Sequence, residues 1–426
     1  MSASSEAVRD EFRRLRRRVV VTGWGAVTPL GIGVADTWAA MLLGRSGIRH
    51  LSAFESGDLG SHIGGEIHDW DPDAHLPRKI SRRTDSFAQY ALAAAAEAIE
   101  SAKLIIGPEL APRTGVLVGS GYGPVNYNNK LQDLLRDKGP RGISPLSQVT
   151  GAMDSAAVEI SLMFGATGPC RSMSTACATG TDSIGEAARL IQYGAVDVAI
   201  AGGADNCISR ADLAGCCNAR ALSTRNGEPE LASRPFDEDR DGFVMGSGAG
   251  VVVLEAADHA IERGAPILAE VAGFGASSDS FHWTAPHPEG TGAKAAMRAA
   301  MRDAGVAAAE IDYINAHGTS TPLGDAREVR SIREVLGARA TRIPVSSTKS
   351  MTGHMIGAGG AVELIVCGLA IRDGIVPPTI NCDRPLDAEM NFVAHTAQRH
   401  DIRIAMNNSF GFGGHNAVLV LRRWEP

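Results

Sequence analysis

The 426-residue sequence contains no run of about 18 apolar residues, so no helix able to span a bilayer is expected. It also lacks an apolar leader followed by a small-residue cleavage site, so the chain reads as cytoplasmic. Neither Cys-x-x-Cys nor His-x-x-x-His occurs, which argues against a structural zinc site. The seven Cys are odd in number and irregularly spaced, unlike a disulfide framework, and fit a reduced compartment. A basic balance is missing too: the net charge of −7 argues against general nucleic-acid binding. Aromatic residues are only 5%, whereas Gly reaches 49, pointing to tight turns and close backbone packing.

What is present is a large apolar fraction, 44%, in a chain long enough for two or three domains or one duplicated fold. Basic residues gather at Arg13, Arg14, Arg16, Arg17 and Arg18, read as a solvated, flexible tail over 1–18. Beyond it, short apolar strand patterns alternate with Ala-rich helical ones, the signature of a layered α/β fold. Strands are expected from Val19, at Val116–Val118, from Val196, at Val251–Leu254 and from Ile267, and a long helix near Asp85–Ala102. The Gly- and Pro-containing stretch from Lys138 to Ser147 reads as an irregular loop. Ala178–Tyr193 and Gly357–Asp373 are both small-residue helices stopped by Gly, each behind a turn bearing a reactive side chain. A duplicated unit would set these helices side by side, although small-residue helices pack closely for other reasons as well. With no flexible linker, the halves 19–265 and 266–426 are expected to share a core.

Three turns carry candidate chemistry. Cys177, in Ser174-Thr175-Ala176-Cys177-Ala178, sits where a turn enters a helix. The free N–H groups and dipole there are expected to favour thiolate and to cradle an oxyanion. The other six Cys read as structural, as Cys177 itself would if taken alone. His317 follows an apolar run within Asn315-Ala316-His317-Gly318-Thr319-Ser320-Thr321, and His354 ends Lys349-Ser350-Met351-Thr352-Gly353-His354. Either His alone also fits a satisfied structural role; together with a thiol, two imidazoles suit acyl transfer. Asn407-Asn408-Ser409-Phe410-Gly411-Phe412-Gly413-Gly414 lacks the Lys-Ser/Thr of a nucleotide-binding loop and lies between two strands. It reads as a Gly turn that offers backbone N–H groups to an oxyanion.

On these four motifs, in this order, the chain from about Val19 to Leu421 closely resembles the β-ketoacyl-acyl-carrier-protein synthases. These are elongating condensing enzymes of the thiolase superfamily. Arg220-Ala221-Leu222-Ser223-Thr224 and Ser233-Arg234-Pro235-Phe236-Asp237 fit the same family. The resemblance implies a thiolase-like, five-layered αβαβα fold made of two similar halves, in a dimer, with acyl carrier protein as partner and no cofactor. It implies that Cys177 accepts the acyl chain and that His317 and His354 stabilise the enolate left when malonyl-carrier protein loses carbon dioxide. Backbone N–H groups of Cys177 and Phe412 would form the other oxyanion hole, with Phe412 and Phe410 at the gate. Lys349 would pair with Glu363, either for catalysis or for charge balance. Thr319 and Thr321 would bind phosphopantetheine. Some relatives hold a structural cation near positions matching Asn315, Glu363, Asn407 and Asn408.

Lys79, Arg82, Arg83 and Arg220 match the segments that dock the acidic carrier protein, though they also read as a solvated helix start. Two departures stand out. Tyr122 occupies an acyl-pocket position that often carries a smaller side chain, and Leu146–Ile160 diverges, with Asp154 and Glu159 near the expected dimer contact. They open a polyketide or polyene role, with a chain-length-factor partner, beside a fatty-acid homodimer. Only six of the 41 basic residues are Lys, a bias of GC-rich bacterial genomes in which polyketide clusters are common. Retention of Cys177 weighs against a non-catalytic scaffold, and His354 against degradative thiolases and initiating synthases.

Overall fold

The computed structural model describes residues 16–426. Ten strands carry the architecture. The first five are β1 (Val19–Thr28), β2 (Thr114–Gly119), β3 (Cys170–Arg171), β4 (Val198–Asp205) and β5 (Gly248–Ala256). The second five are β6 (Ala269–Ser278), β7 (Tyr313–Asn315), β8 (Val345–Ser346), β9 (Ile404–Gly411) and β10 (His415–Arg422). They form a continuous sheet in the order β8-β7-β9-β10-β6-β1-β5-β4-β2-β3. Read outward from the middle, each half repeats one order: β1-β5-β4-β2-β3 and β6-β10-β9-β7-β8. The parallel and antiparallel pairs repeat with it. The halves join through an antiparallel pairing in which Val20 meets Glu270 and Val21 meets Ala269.

Six helices repeat in step: α1 (Ser86–Ser101), α2 (Ser155–Phe164), α3 (Thr179–Gln192), α4 (Thr291–Ala304), α5 (Pro322–Leu336) and α6 (Gly359–Asp373). Asp85 caps α1 by accepting the Phe87 N–H at 3.1 Å, so the helix begins where the sequence places it. The helix lies against β1 because Gly23 and Gly25 have no side chain. A Cβ there would fall 2.0 Å from the carbonyl oxygens of Ala98 and Ala94. Helices α3 and α6 are sandwiched between the two half-sheets, each touching strands of both. Every residue of α6 from Gly359 to Ile371 is buried, so it shows no polar face. With α1 and α2 outside one half-sheet and α4 and α5 outside the other, the result is the five-layered αβαβα fold.

One expectation needs correction. The basic tail does not run to residue 18: Arg16 pairs with Asp303, Arg17 with Asp197 and Asp258, and Arg18 with Glu270. These carboxylates lie far along the chain, which is why a run of Arg looked solvated. Arg13 and Arg14 fall outside the described residues. The loop expected from Lys138 to Ser147 is irregular apart from a short helical turn at 140–142, and it follows a helix, Val125–Lys138, with no buried residue. Among the described residues no helix is long and apolar enough to cross a membrane.

Candidate active site

The three reactive side chains reach one point from three turns at the strand ends. Cys177 occupies a short turn, Ala176–Ala178, ahead of α3, with Ala176 held in the left-handed region at φ 50°. His317 follows β7, and His354 follows the short helix Lys349–Thr352. The Cys177 Sγ and one ring nitrogen from each His all lie within 4.8 Å of one another. The two imidazoles meet edge to face, centroids 5.3 Å apart. All three line a cavity of about 310 Å³.

Burial fixes their charge states. The expected lowering of the Cys177 pKa is overturned. Burial pushes the thiol up to about 11, with Asp205 adding to the rise, against the Phe412 N–H and the Lys349 charge. The turn does supply N–H groups, but the loss of water around a thiolate outweighs them. Burial, and then the charge of Lys349, holds both imidazoles well below the usual histidine range, so they are neutral at pH 7. His354 has no hydrogen-bond partner on either ring nitrogen, nor has His317 on Nδ1. The satisfied structural role that either His alone allowed therefore fails. These rings are free to donate to a bound oxygen.

Two carboxylates that the sequence did not single out hold the turns in place. Glu328 on α5 accepts the N–H groups of His317 at 2.8 Å and Gly318 at 2.7 Å, and the Asn408 amide at 3.2 Å. Its signal in the sequence was a carboxylate on the inward face of a helix, beside Val329 and Ile332. Asp205, at the end of β4, accepts from Ser120, Gly121, Tyr122 and Gly357 at 2.6 to 3.0 Å. Burial raises its pKa to about 6, against those four donors. Lys349 and Glu363 form a buried ion pair beside the imidazoles. Burial raises Glu363 to about 7, against the pull of Lys349.

Thr319 and Thr321 line the cavity with their hydroxyls 3.1 Å apart. The Phe410 ring stands 5.9 Å from His317, while Phe412 is 39% exposed at the mouth and turns its N–H to the Cys177 sulfur. Gly411 makes this approach feasible, since a Cβ there would lie 3.0 Å from the Cys177 nitrogen. Tyr122 and Ile356 line the cavity, and Tyr122 packs against a cluster that includes Cys207 and Cys216. Cys170 departs from the structural reading given to the other six Cys, being exposed. Lys79, Arg82 and Arg220 are exposed. Arg83 is half-buried and makes a bidentate pair with Glu159, at 3.0 and 2.6 Å.

The residues implied for a cation pass one test. Asn315 Oδ1, Glu363 Oε2, Asn407 Oδ1 and Asn408 Oδ1 are all buried without a hydrogen-bond partner. Four such oxygens fit a hard cation, which takes oxygen ligands.

A buried nucleophile, two neutral N–H donors and a cavity leading to them, in this duplicated fold, define an acyl-transferring enzyme. Profiles described as "Beta-ketoacyl synthase, N-terminal domain" and "Beta-ketoacyl synthase, C-terminal domain" match residues 16–260 and 268–383. The chain belongs to the β-ketoacyl synthase family. It is 46% identical to 3-oxoacyl-[acyl-carrier-protein] synthase 2 of Coxiella burnetii over 96% of this chain and 99% of that protein. The protein of the same name from Staphylococcus aureus is also 46% identical, again over 96% of this chain and 99% of the relative. The solved ishigamide ketosynthase/chain length factor superposes with a TM-score of 0.88 at 36% identity, covering 96% of this chain and all of that one. A type II ketosynthase bound to a hexaketide, in complex with its acyl-carrier protein, superposes at 0.87 and 32% identity, with the same coverage.

Proposed function

We propose that the enzyme catalyses decarboxylative Claisen condensation, lengthening a Cys177-bound acyl chain by two carbons from malonyl-acyl-carrier protein. The observation that carries this reading is the meeting of one thiol with two neutral, unpartnered imidazoles. In the first step the Cys177 sulfur attacks the carrier thioester. The C–S bond to the carrier breaks, the thiol proton passes to the departing carrier thiolate, and an acyl-enzyme remains. With the thiol held at about 11, Cys177 reacts by losing its proton as the bond forms, not as a standing thiolate. N–H groups of Cys177 and Phe412 receive the negative oxygen of the tetrahedral intermediate.

In the second step malonyl thioester loses carbon dioxide and its electron pair moves onto the thioester oxygen. Neutral His317 and His354 donate N–H to that oxygen, stabilising charge that exists only after decarboxylation. The enolate carbon attacks the Cys177 thioester, the C–S bond breaks, and the departing sulfur takes up one proton from solvent to restore the thiol. Lys349, paired with Glu363, keeps the imidazoles neutral and fixes the His354 turn. Thr319 and Thr321 hydrogen-bond the phosphopantetheine arm, and Phe410 and Phe412 gate the two sites. A cation held by Asn315, Glu363, Asn407 and Asn408 would supply structural charge to this support, and no step runs through it. The scheme uses no organic cofactor.

Acyl carrier protein is the macromolecular partner, docking on Lys79, Arg82 and Arg220 in the cytoplasm, and the enzyme works as a dimer. The two related synthases support a fatty-acid role, for which the dimer would be a homodimer. Tyr122 supports a second reading: a half-buried phenol in the acyl chamber favours flat, unsaturated chains of a polyketide or polyene pathway, with a chain-length-factor-like subunit. Incubation with acyl-carrier protein followed by mass spectrometry tests the core reading. The acyl mass is expected on the Cys177 peptide and lost in Cys177→Ala; acylation elsewhere would overturn it. Co-purification from the native host separates the dimers.

A further inference from the structure

We infer that Cys177, His317 and His354 also form a binding site for a borderline-soft divalent cation such as Zn²⁺, which would shut the enzyme reversibly. Three kinds of observation point there. The donor set is one sulfur and two imidazole nitrogens, the ligands that zinc prefers over magnesium or calcium. Its three ligand atoms already lie within 4.8 Å of one another. Tetrahedral zinc bonds would draw them to roughly 3.4–3.6 Å apart, a closure of about 1 Å that side-chain rotation supplies. The imidazoles also lack protein partners: His354 is 3% exposed with both ring nitrogens unpartnered, as is His317 Nδ1. No protein group hydrogen-bonds the His354 ring, and the contact on the sulfur, from the Phe412 N–H, leaves its other lone pairs to a metal.

The surroundings suit an inhibitory site more than a permanent one. Lys349 brings positive charge near the donors, offset by its buried partner Glu363. Metal-ligating histidines normally have a second-shell acceptor on the other ring nitrogen, and His354 has none. Three protein ligands leave the fourth position to water from the 310 Å³ cavity, through which the ion enters. On binding, the S–H proton leaves to solvent, a Zn–S bond forms, and nothing is oxidised or reduced. Occupancy removes both the nucleophile and the two N–H donors, so acylation and decarboxylation stop together. The sequence motifs that announce zinc place ligands a few residues apart; here they come from three distant turns, so no zinc motif marks the set.

Cobalt(II) serves as the probe on the full-length enzyme without substrates. One Co²⁺ per chain is expected, with a near-ultraviolet sulfur-to-cobalt charge-transfer band that Zn²⁺ displaces and Mg²⁺ does not. Cys177→Ser should abolish the band. His317→Ala and His354→Ala, each checked for an unchanged melting temperature, should weaken binding by at least about tenfold. The Cys170→Ser variant should bind as wild type does. Zn²⁺ should also slow iodoacetamide labelling of Cys177 by at least about tenfold, with EDTA restoring it. Persistence of the band in Cys177→Ser, or unprotected labelling at saturating Zn²⁺, would overturn the inference. It shares side chains with the proposed condensation but not its chemistry. Activity measured in chelator tests that reaction, and the cobalt spectrum tests this site.

Discussion

The two halves of the molecule fold alike and do different chemistry. Each has a short turn entered through a left-handed residue, Ala176 at φ 50° or Ile356 at φ 47°, ahead of a central helix. The second residue of the turn is Cys177 in one half and Gly357 in the other. Across from each stands the end of the matching strand of the opposite half. At Gly357 that residue is Asp205, which accepts its N–H at 2.7 Å. At Cys177 it is Gly411, which offers no side chain at all. Duplication thus supplied two equivalent turns, and one residue opposite each decides whether its amide is capped or left for an oxyanion.

The sharpest way to break this comparison is to remove an imidazole. His317 and His354 both belong to the second half, and in the proposed scheme they act only after decarboxylation begins. His354→Ala should therefore leave acyl transfer onto Cys177 nearly intact and cut condensation by about 10²–10⁴-fold. Acyl-enzyme mass and product formation read the two steps separately; equal losses in both would dissolve the division of labour. Next in size is Gly411→Ala, which puts a methyl group 2.8 Å from the Thr175 carbonyl oxygen and 3.0 Å from the Cys177 nitrogen. Acyl transfer should fall about 10²–10³-fold, the cost of losing one oxyanion donor, and the melting temperature should fall too, because the Thr175 carbonyl must shift. Full activity would show that the amide across from Gly411 has no part in the reaction.

Asp205→Asn tests the capped side of the comparison. The amide presents N–H groups where four donors expect an acceptor, so the Gly121–Tyr122 wall should loosen and acyl-chain selectivity broaden. The lost charge had helped to raise the Cys177 thiol. Iodoacetamide labelling at pH 8 should therefore quicken by up to about tenfold, corresponding to at most one pH unit. A labelling profile that stays in place would remove Asp205 from the electrostatics of the site.

Much of this was legible because it is local. Strand ends rich in Gly, small-residue helices and the turns bearing Cys177, His317 and His354 each span a few residues. The repeat was legible more directly than through those helices: Gly23-Trp24-Gly25-Ala26 on β1 matches Gly273-Phe274-Gly275-Ala276 on β6. Both Gly pairs let an outer helix touch the sheet backbone. What stayed hidden was every property set by a distant partner. Arg83 gave no sign of its pair with Glu159, and Arg16 looked solvated until Asp303 closed on it. The raised thiol of Cys177 likewise follows from layers of protein that no short motif encodes.

The smallest effect concerns how the outer helices carry their carboxylates. On α2, Glu159 pairs with Arg83; on α5, buried Asp325 accepts the Phe236 N–H at 2.8 Å, with Arg240 at 3.9 Å. Burial raises Asp325 to about 7, against that N–H and Arg240. The folded chain thus keeps a proton that the unfolded chain has already released above about pH 4. Stability from this group is complete below that pH and is lost as pH rises through about 7. Asp325→Asn retains an oxygen for the Phe236 N–H and cannot ionise. Its melting temperature should exceed wild type at pH 8, by on the order of 1 kcal/mol in stability, with the advantage shrinking to nothing near pH 4. An advantage that does not vary between those pH values would mean that Asp325 keeps its charge in the fold.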